Sequence, residues 1–530
     1  MSKLPAIATA ALACLMLTCP PAIAAPKWVK AESDHFIVFS DVPAKTATNY
    51  VLKLEQYRYV LASFYGVTPE AGEDLPKLRL YFVSDQLDMK QAWPGVPLDV
   101  MGWYKACDAG QAAVAAYTDD KVKSSQKLED QTENASQIIL FHEYAHTFMF
   151  QVTDTLYPSW FVEGFAEYYG TTRLGDGEAL VGMAWQERVD RLMTDGYGVP
   201  YDGLLRDKPA LHADPDKADR YYAQSWILTH WIMSDPGRRA QFGGYVKAIN
   251  GGADPVAAFE SAMGVKVADL DKMMQSYLHH MTAQAYRVDN MPTPQITVSA
   301  MPASADRLMM WDAALRTCPA KSSWKDLTMN VTAEAARFPG DDFAQMAQAR
   351  MQVEIGDESQ ALPYLTAYTA AHPDDAEAAS MLGQAWFFSA ANGRTITGET
   401  KESELQKART ILGKAYTLDP LDAANLYYFA MAQQNPLGAS DDNTVTAAVE
   451  AHALAPSVRE YAALAALMLV QNDEMDEAKT MLYPLASNPH GGPAQDWAAA
   501  IIAAINKGAG KDEVLKLMQT PKVSAEDAGS

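Results

Sequence analysis

Six residues carry the plainest chemistry in this chain, Phe141-His-Glu-Tyr-Ala-His146. They set His142, Glu143 and His146 in the order H-E-x-x-H. Residues four apart stack on one face of a helix, so the two imidazoles can grip a single metal ion. Glu143 sits about 100° around the helix from His142, at the rim of that face. From there a carboxylate reaches a metal-bound water without ligating the metal. Two histidine ligands and a general base make half of a hydrolytic zinc site. The other half has to come from elsewhere in the chain.

A second stretch follows, Tyr157-Pro-Ser-Trp-Phe-Val-Glu-Gly-Phe-Ala-Glu-Tyr-Tyr169, whose first glutamate lies 17 residues after His146. Pro158 and Ser159 are helix-start signals, and Glu163 and Glu167 lie four apart on one face. Their neighbours are nearly all aromatic or small. A buried carboxylate pair requires partners, and a divalent cation with two imidazoles supplies them. Taken alone, two glutamates facing solvent would account for the pattern equally well.

The elements that must position these groups are legible around them. His35 to Ser40, Leu78 to Val83 and Gln111 to Tyr117 read as strands, and Ala44 to Tyr65 as a helix stopped by Gly66. Glu129 to Val152 is the expected motif helix, with Ile138, Phe141, Ala145, Phe148 and Val152 on its apolar side. Residues 183 to 284 read as a run of helices. Asp219 to Trp226 opens one of them, and Gly264 to Leu278 is the last. Strands first and helices later point to an α+β domain. The three prolines of Met291-Pro-Thr-Pro-Gln-Ile-Thr-Val-Ser-Ala-Met-Pro302 mark a linker. The expected division is therefore a leader at 1–24, a domain at 25–290, a linker at 291–303 and an all-α helical domain at 304–530.

That last region repeats. Gly356, Ala361, Leu365 and Pro373 recur in role as Ala408, Leu412 and Pro420, then as Ala451 and Pro456, then as Ala478, Leu482 and Pro489. The prolines are 47, 36 and 33 residues apart, the longest interval holding an insertion around Asn392 to Ser403. With Leu382, Gly383, Trp386, Leu464 and Ala465, the region resembles a degenerate tetratricopeptide array of helix pairs, whose period is about 34 residues. Such an array implies a protein partner.

Bulk properties narrow the compartment and the ligand. The chain has 530 residues, 48% apolar and 21% charged, with a formal net charge of −23. That charge argues against nucleic acid, since phosphate binding needs clustered Lys and Arg. Lys3, the apolar run Ala6 to Cys19 and the small-x-small site Ala22-Ile23-Ala24 read as a secretory signal, which places the protein in the periplasm or outside the cell. No later run is long enough to span a membrane. Removal of the leader leaves Cys107 and Cys318, and their spacing leaves both a disulfide and two free thiols open.

Met149 and Val152 stand where the metzincin pattern H-E-x-x-H-x-x-G-x-x-H requires Gly and His, which removes that class. Residues 158–168 instead resemble the P-x-W-x-x-E-G-x-A-E-Y signature of bacterial peptidase-MA-like gluzincins, the thermolysin-like zinc peptidases. The similarity extends over residues 35–280 and is specific around 137–170. It implies an α+β zincin-like domain, one Zn2+ held by His142, His146 and Glu163, and Glu143 as general base. It also implies that Glu167 holds the free ring nitrogen of His142, the reverse assignment of the two glutamates staying open. Tyr222, or its neighbour Tyr221, would stabilise the oxyanion, and Gln111 to Tyr117 would be the edge strand that receives a peptide. The expected function is an exported zinc peptidase acting on peptide or protein substrates. The competing readings are a vestigial peptidase that works as a binding protein through its repeats, and a zinc hydrolase of a non-peptide amide.

Overall fold

Alternation of apolar residues decides which face of the main sheet each side chain takes. In the computed structural model, Leu78, Leu80 and Phe82 of one strand join a core on one side of the sheet, and Tyr81 and Val83 join a core on the other. The structure describes residues 27–67, 75–96, 100–117, 135–153, 155–175, 177–194, 198–206, 215–394, 396, 398–434, 438–488 and 492–519. The leader, the start of the expected motif helix and Pro489 lie outside these residues.

The chain opens with β1 (Val29–Glu32), β2 (Phe36–Ser40), α1 (Ala44–Tyr65), β3 (Leu78–Val83), α2 (Met89–Ala92), β4 (Gly102–Cys107) and β5 (Gly110–Ala116). Next come α3 (Ala135–Val152), α4 (Ser159–Gly170), β6 (Arg173–Gly175), β7 (Glu178–Val181), α5 (Gln186–Thr194), α6 (Tyr201–Leu205) and α7 (Pro215–Met233). α8 (Pro236–Asn250), α9 (Pro255–Met263), α10 (Leu270–Leu278), β8 (Gln284–Arg287) and β9 (Thr297–Ala300) complete this half. The fold is α+β. Its main sheet has the order β4-β5-β3-β2-β1-β9, with β2, β3 and β5 parallel, and β6, β7 and β8 form a small antiparallel sheet. As expected, Gly66 closes α1, in a left-handed conformation that costs glycine nothing. Gly264 differs from expectation, since it ends α9 and does not begin the last helix.

The strand order corrects one expectation directly. β5 is flanked by β3 and β4, so it is not an edge. Its small residues serve burial on both faces: Ala113 and Ala115 join the core under α1 and α3, and Ala112, Val114 and Ala116 join the opposite core. The edge is β4, whose mixed sequence Gly-Trp-Tyr-Lys-Ala-Cys fits a strand paired on one side only.

The expected linker also behaves differently. Thr297–Ala300 pairs with β1 as β9, so the β-branched residues between the prolines extend the sheet. Among the described residues thirteen α-helices then follow, beginning with α11 (Ala305–Arg316), α12 (Trp324–Ala335), α13 (Asp342–Glu354), α14 (Glu358–Ala371), α15 (Ala376–Ala391) and α16 (Lys401–Leu418). The others are α17 (Ala423–Gln433), α18 (Asp442–Leu454), α19 (Arg459–Gln471), α20 (Met475–Met481), α21 (Tyr483–Ala486), α22 (Pro493–Asn506) and α23 (Lys511–Met518). Leu308, Met309 and Ala313 of α11 and Leu327 of α12 share a core with Tyr81, Val83 and Val114 of the sheet. The division expected at 291–303 therefore does not coincide with a break in packing.

Within the array, the repeating residues Ala361, Leu365, Ala408, Leu412, Ala451, Ala478 and Leu482 are all fully buried. All but Leu482, which follows α20, lie on α14, α16, α18 or α20. Asp375, Asp422 and Asp441 cap α15, α17 and α18 by accepting backbone N–H groups, which fixes where each helix starts. The expected insertion falls between α15 and α16. Among the described residues, no helix is long and apolar enough to cross a membrane.

Candidate metal centre

Two glycines and one tyrosine set the geometry of the helices that carry the candidate residues. A Cβ on Gly164 of α4 would lie 2.3 Å from the Ser225 carbonyl oxygen of α7, so only glycine allows that approach. A Cβ on Gly170 would lie 3.2 Å from the His142 Cβ, where α4 crosses α3. Tyr57 of α1 stacks on Phe141 at 3.9 Å and donates to the Phe141 carbonyl at 3.0 Å, which seats α3 against α1. The burial of Phe141, Ala145 and Phe148 leaves the opposite side of α3 facing α4.

Three ligand-type groups converge there. The Nε2 atoms of His142 and His146 are 3.1 Å apart, His142 Nε2 is 3.0 Å from Glu163 Oε1, and His146 Nε2 is 3.5 Å from Glu163 Oε2. Donors about 2.0–2.1 Å from a zinc ion at tetrahedral angles stand about 3.3 Å from one another, so this set has the spacing of three ligands around one ion. Glu163 is 1% exposed, and its Oε2 is buried with no hydrogen bond. A buried carboxylate oxygen left in that state is costly, and a cation at the point of convergence satisfies it. The residues fit zinc.

Electrostatics point the same way. Burial opposes the charge on His142, yet Glu163 beside it outweighs burial and lifts the imidazole to about 9. Burial raises the Glu163 carboxyl, but the two histidines hold it well below the usual carboxylate range. Glu163 thus favours a positive charge beside it.

Glu167, one turn further along α4, has a different partner. Its Oε1 lies 3.8 Å from His142 Nδ1, outside hydrogen-bond distance. Arg188 of α5 grips it with two nitrogens, Nε at 3.2 Å from both carboxylate oxygens and Nη2 at 2.8 Å from Oε1. Asp219 of α7 accepts from Arg188 Nη1 at 2.8 Å. Sequence reading missed this arginine, because an Arg on a short helix that also carries Glu187, Asp190 and Arg191 gives no signal of burial. The one hint was that a buried Glu167 needed a counter-charge.

The two tyrosines separate cleanly. Tyr221 is fully buried in the core. Tyr222 is half-buried, with the Arg188 guanidinium over its ring at 5.5 Å. Burial, then the negative charges of Glu163 and Glu167, push its hydroxyl pKa up. Of the pair, Tyr222 is the one that faces the centre. It sits inside α7, two turns beyond the helix start.

A cavity of about 890 Å³ opens above the centre. Glu143, His146, Thr147 and Phe150 of α3 form part of its floor, and Gly102 to Cys107 of β4 run along its side. The edge strand thus lies beside the candidate metal ligands and the candidate base. At the end of β4, Cys107 is joined to Cys318 by a disulfide. Comparison with known protein families, curated proteins and solved structures returns no match.

Proposed function

We propose that this protein is an exported zinc-dependent peptidase of gluzincin type. The observation that carries the reading is the convergence of His142, His146 and Glu163 on one point beside Glu143, at the floor of a cavity bordered by an edge strand. Zinc bound there would supply Lewis-acid polarisation of the scissile carbonyl and lower the pKa of the attacking water toward about 7. Glu143 takes a proton from that water and returns it to the leaving amine. Tyr222, kept protonated by its burial, donates to the developing oxyanion. Glu167, clamped by Arg188, limits how far the His142 ring can turn. The substrate backbone pairs with β4, and this favours a peptide over a non-peptide amide. A disulfide between Cys107 and Cys318 supports export, since such bonds persist in oxidising compartments.

The test uses one set of preparations. Wild type should carry about one zinc ion per chain and cut casein or an unstructured peptide. Glu143→Gln should keep the metal and lose about 100- to 10,000-fold in rate, and Glu163→Gln should lose the metal itself. A wild-type chain that binds no zinc at neutral pH would sink the proposal.

A further inference from the structure

The helices beyond α13 do not stand apart from the candidate centre; they lean over it. Ser457, in the turn before α19, lies 3.1 Å from the Tyr104 hydroxyl and accepts the Gln111 amide at 2.9 Å. Tyr104 belongs to the edge strand and lines the same cavity as Glu143. Gln495 of α22 donates to the Ser159 hydroxyl at 2.9 Å, at the first residue of α4. Past the end of β4, Tyr461 donates to the Asp108 carbonyl at 2.9 Å and Tyr428 to its carboxylate at 3.1 Å. The cavity above His146 and Glu143 is also lined by Arg459, Glu460, Pro484 and Asn488 of the array.

We propose that the helical array acts in cis as the roof of the cleft, so that the centre admits one extended polypeptide segment and turns away folded proteins. This rests on the peptidase reading above. A segment that pairs with β4 must bring its backbone to about 4.8 Å from the strand, and the turn at Ser457 lies over that same edge. A cavity of about 890 Å³ is the size of a small-molecule or short-peptide site. It holds a single strand but no folded surface. The same contacts occupy Tyr428, Tyr461 and Ser457, so this side of the array serves its own chain.

The experiment uses the full-length Glu143→Gln protein loaded with zinc, which keeps the metal ligands and does not turn over. A fluorescein-labelled unstructured peptide is titrated by anisotropy against the same sequence held as a short loop in a folded carrier. The peptide should bind at least about 10-fold more tightly than the loop. Adding Ser457→Trp, which fills the space beside Tyr104, should weaken peptide binding at least about 10-fold with zinc content unchanged. Equal binding of peptide and loop overturns the roof, as does peptide binding that Ser457→Trp leaves intact, or no peptide binding at all. If Ser457→Trp does not fold, the comparison of peptide with loop decides alone. A peptide that Glu143→Gln binds behind the roof but that wild type does not cut removes the peptidase reading and leaves the roof standing.

Discussion

The candidate centre is held from below and from above by different means. Below, α3, α4 and α7 meet through buried aromatic and small residues at van der Waals distance, with Tyr57 on Phe141 and Gly164 against Ser225. Above, the helices from α17 onward meet the half that carries the centre mainly through hydrogen bonds at Ser457, Tyr428, Tyr461 and Gln495, with Ala106 of β4 packed against their core. Close-packed apolar contact fixes positions to fractions of an ångström because any gap loses dispersion energy outright. Hydrogen bonds between polar groups net only about 0.5–1.5 kcal/mol each, and water can replace them. The floor is therefore set by folding itself, and the roof is attached to it.

The largest expected effect comes from leaving a charge of the floor alone. Arg188→Met strands the buried Glu167 carboxylate and should cost about 3–5 kcal/mol in denaturant unfolding. Adding Glu167→Gln should recover a good part of that loss; no recovery would show that Arg188 matters through its packing. Next is Gly164→Ala, which pushes α4 from α7 and should cost about 1–3 kcal/mol. A change within 0.5 kcal/mol, roughly the noise of a surface substitution, would mean that the floor yields more readily than its contacts imply.

The seat of the roof, where Glu354 at the end of α13 faces Tyr428 of α17, offers the smallest and most reversible effect, through pH. Burial, then the neighbouring Asp108, push the Glu354 carboxyl up from its ordinary 4.5 to about 7. The folded state thus holds a proton that the unfolded state releases. The stability contributed by that proton is fully present below about 4.5 and is lost as pH rises through about 7. Hydrogen exchange in α17 and α19 should accelerate between these limits relative to α3 and α4, and Glu354→Gln should flatten the dependence. Equal acceleration on both sides of the cleft would erase the contrast between floor and roof.

How much of this was legible in the sequence depends on distance along the chain. His142, Glu143, His146 and Glu163 lie within 22 positions, on two helices whose spacing and start signals are local, and the structure brings them together. The repeating alanines and leucines were readable for the same reason, since a short period needs only a short window. Arg188 was not, because its partner lies 21 residues away on another helix and nothing in Gln186 to Thr194 marks burial. The small side chains of β5 suggest room for a peptide at an edge, yet they serve burial on both faces, while Trp103, Tyr104 and Lys105 of β4 mix polarity as a one-sided strand must. The shared core between the sheet and α11 was also hidden, since three prolines look like a break until β9 pairs with β1. The meeting of Cys107 and Cys318, 211 residues apart, is a property of the whole fold.

α11 ties together the two regions that the prolines at 291–302 separate in the sequence. It starts just after β9, which is hydrogen-bonded at one margin of the sheet, and it ends just before Cys318, which is bonded to the opposite margin at β4. The helix is thus a cross-brace nailed at both ends of a six-stranded plank. A chain cut at residue 303 would lose the brace and lay bare Phe39, Tyr81, Val83 and Val114 together. Such a fragment would be sticky before it could be catalytic. The boundary expected at 291–303 runs through a shared core, not between two separate ones.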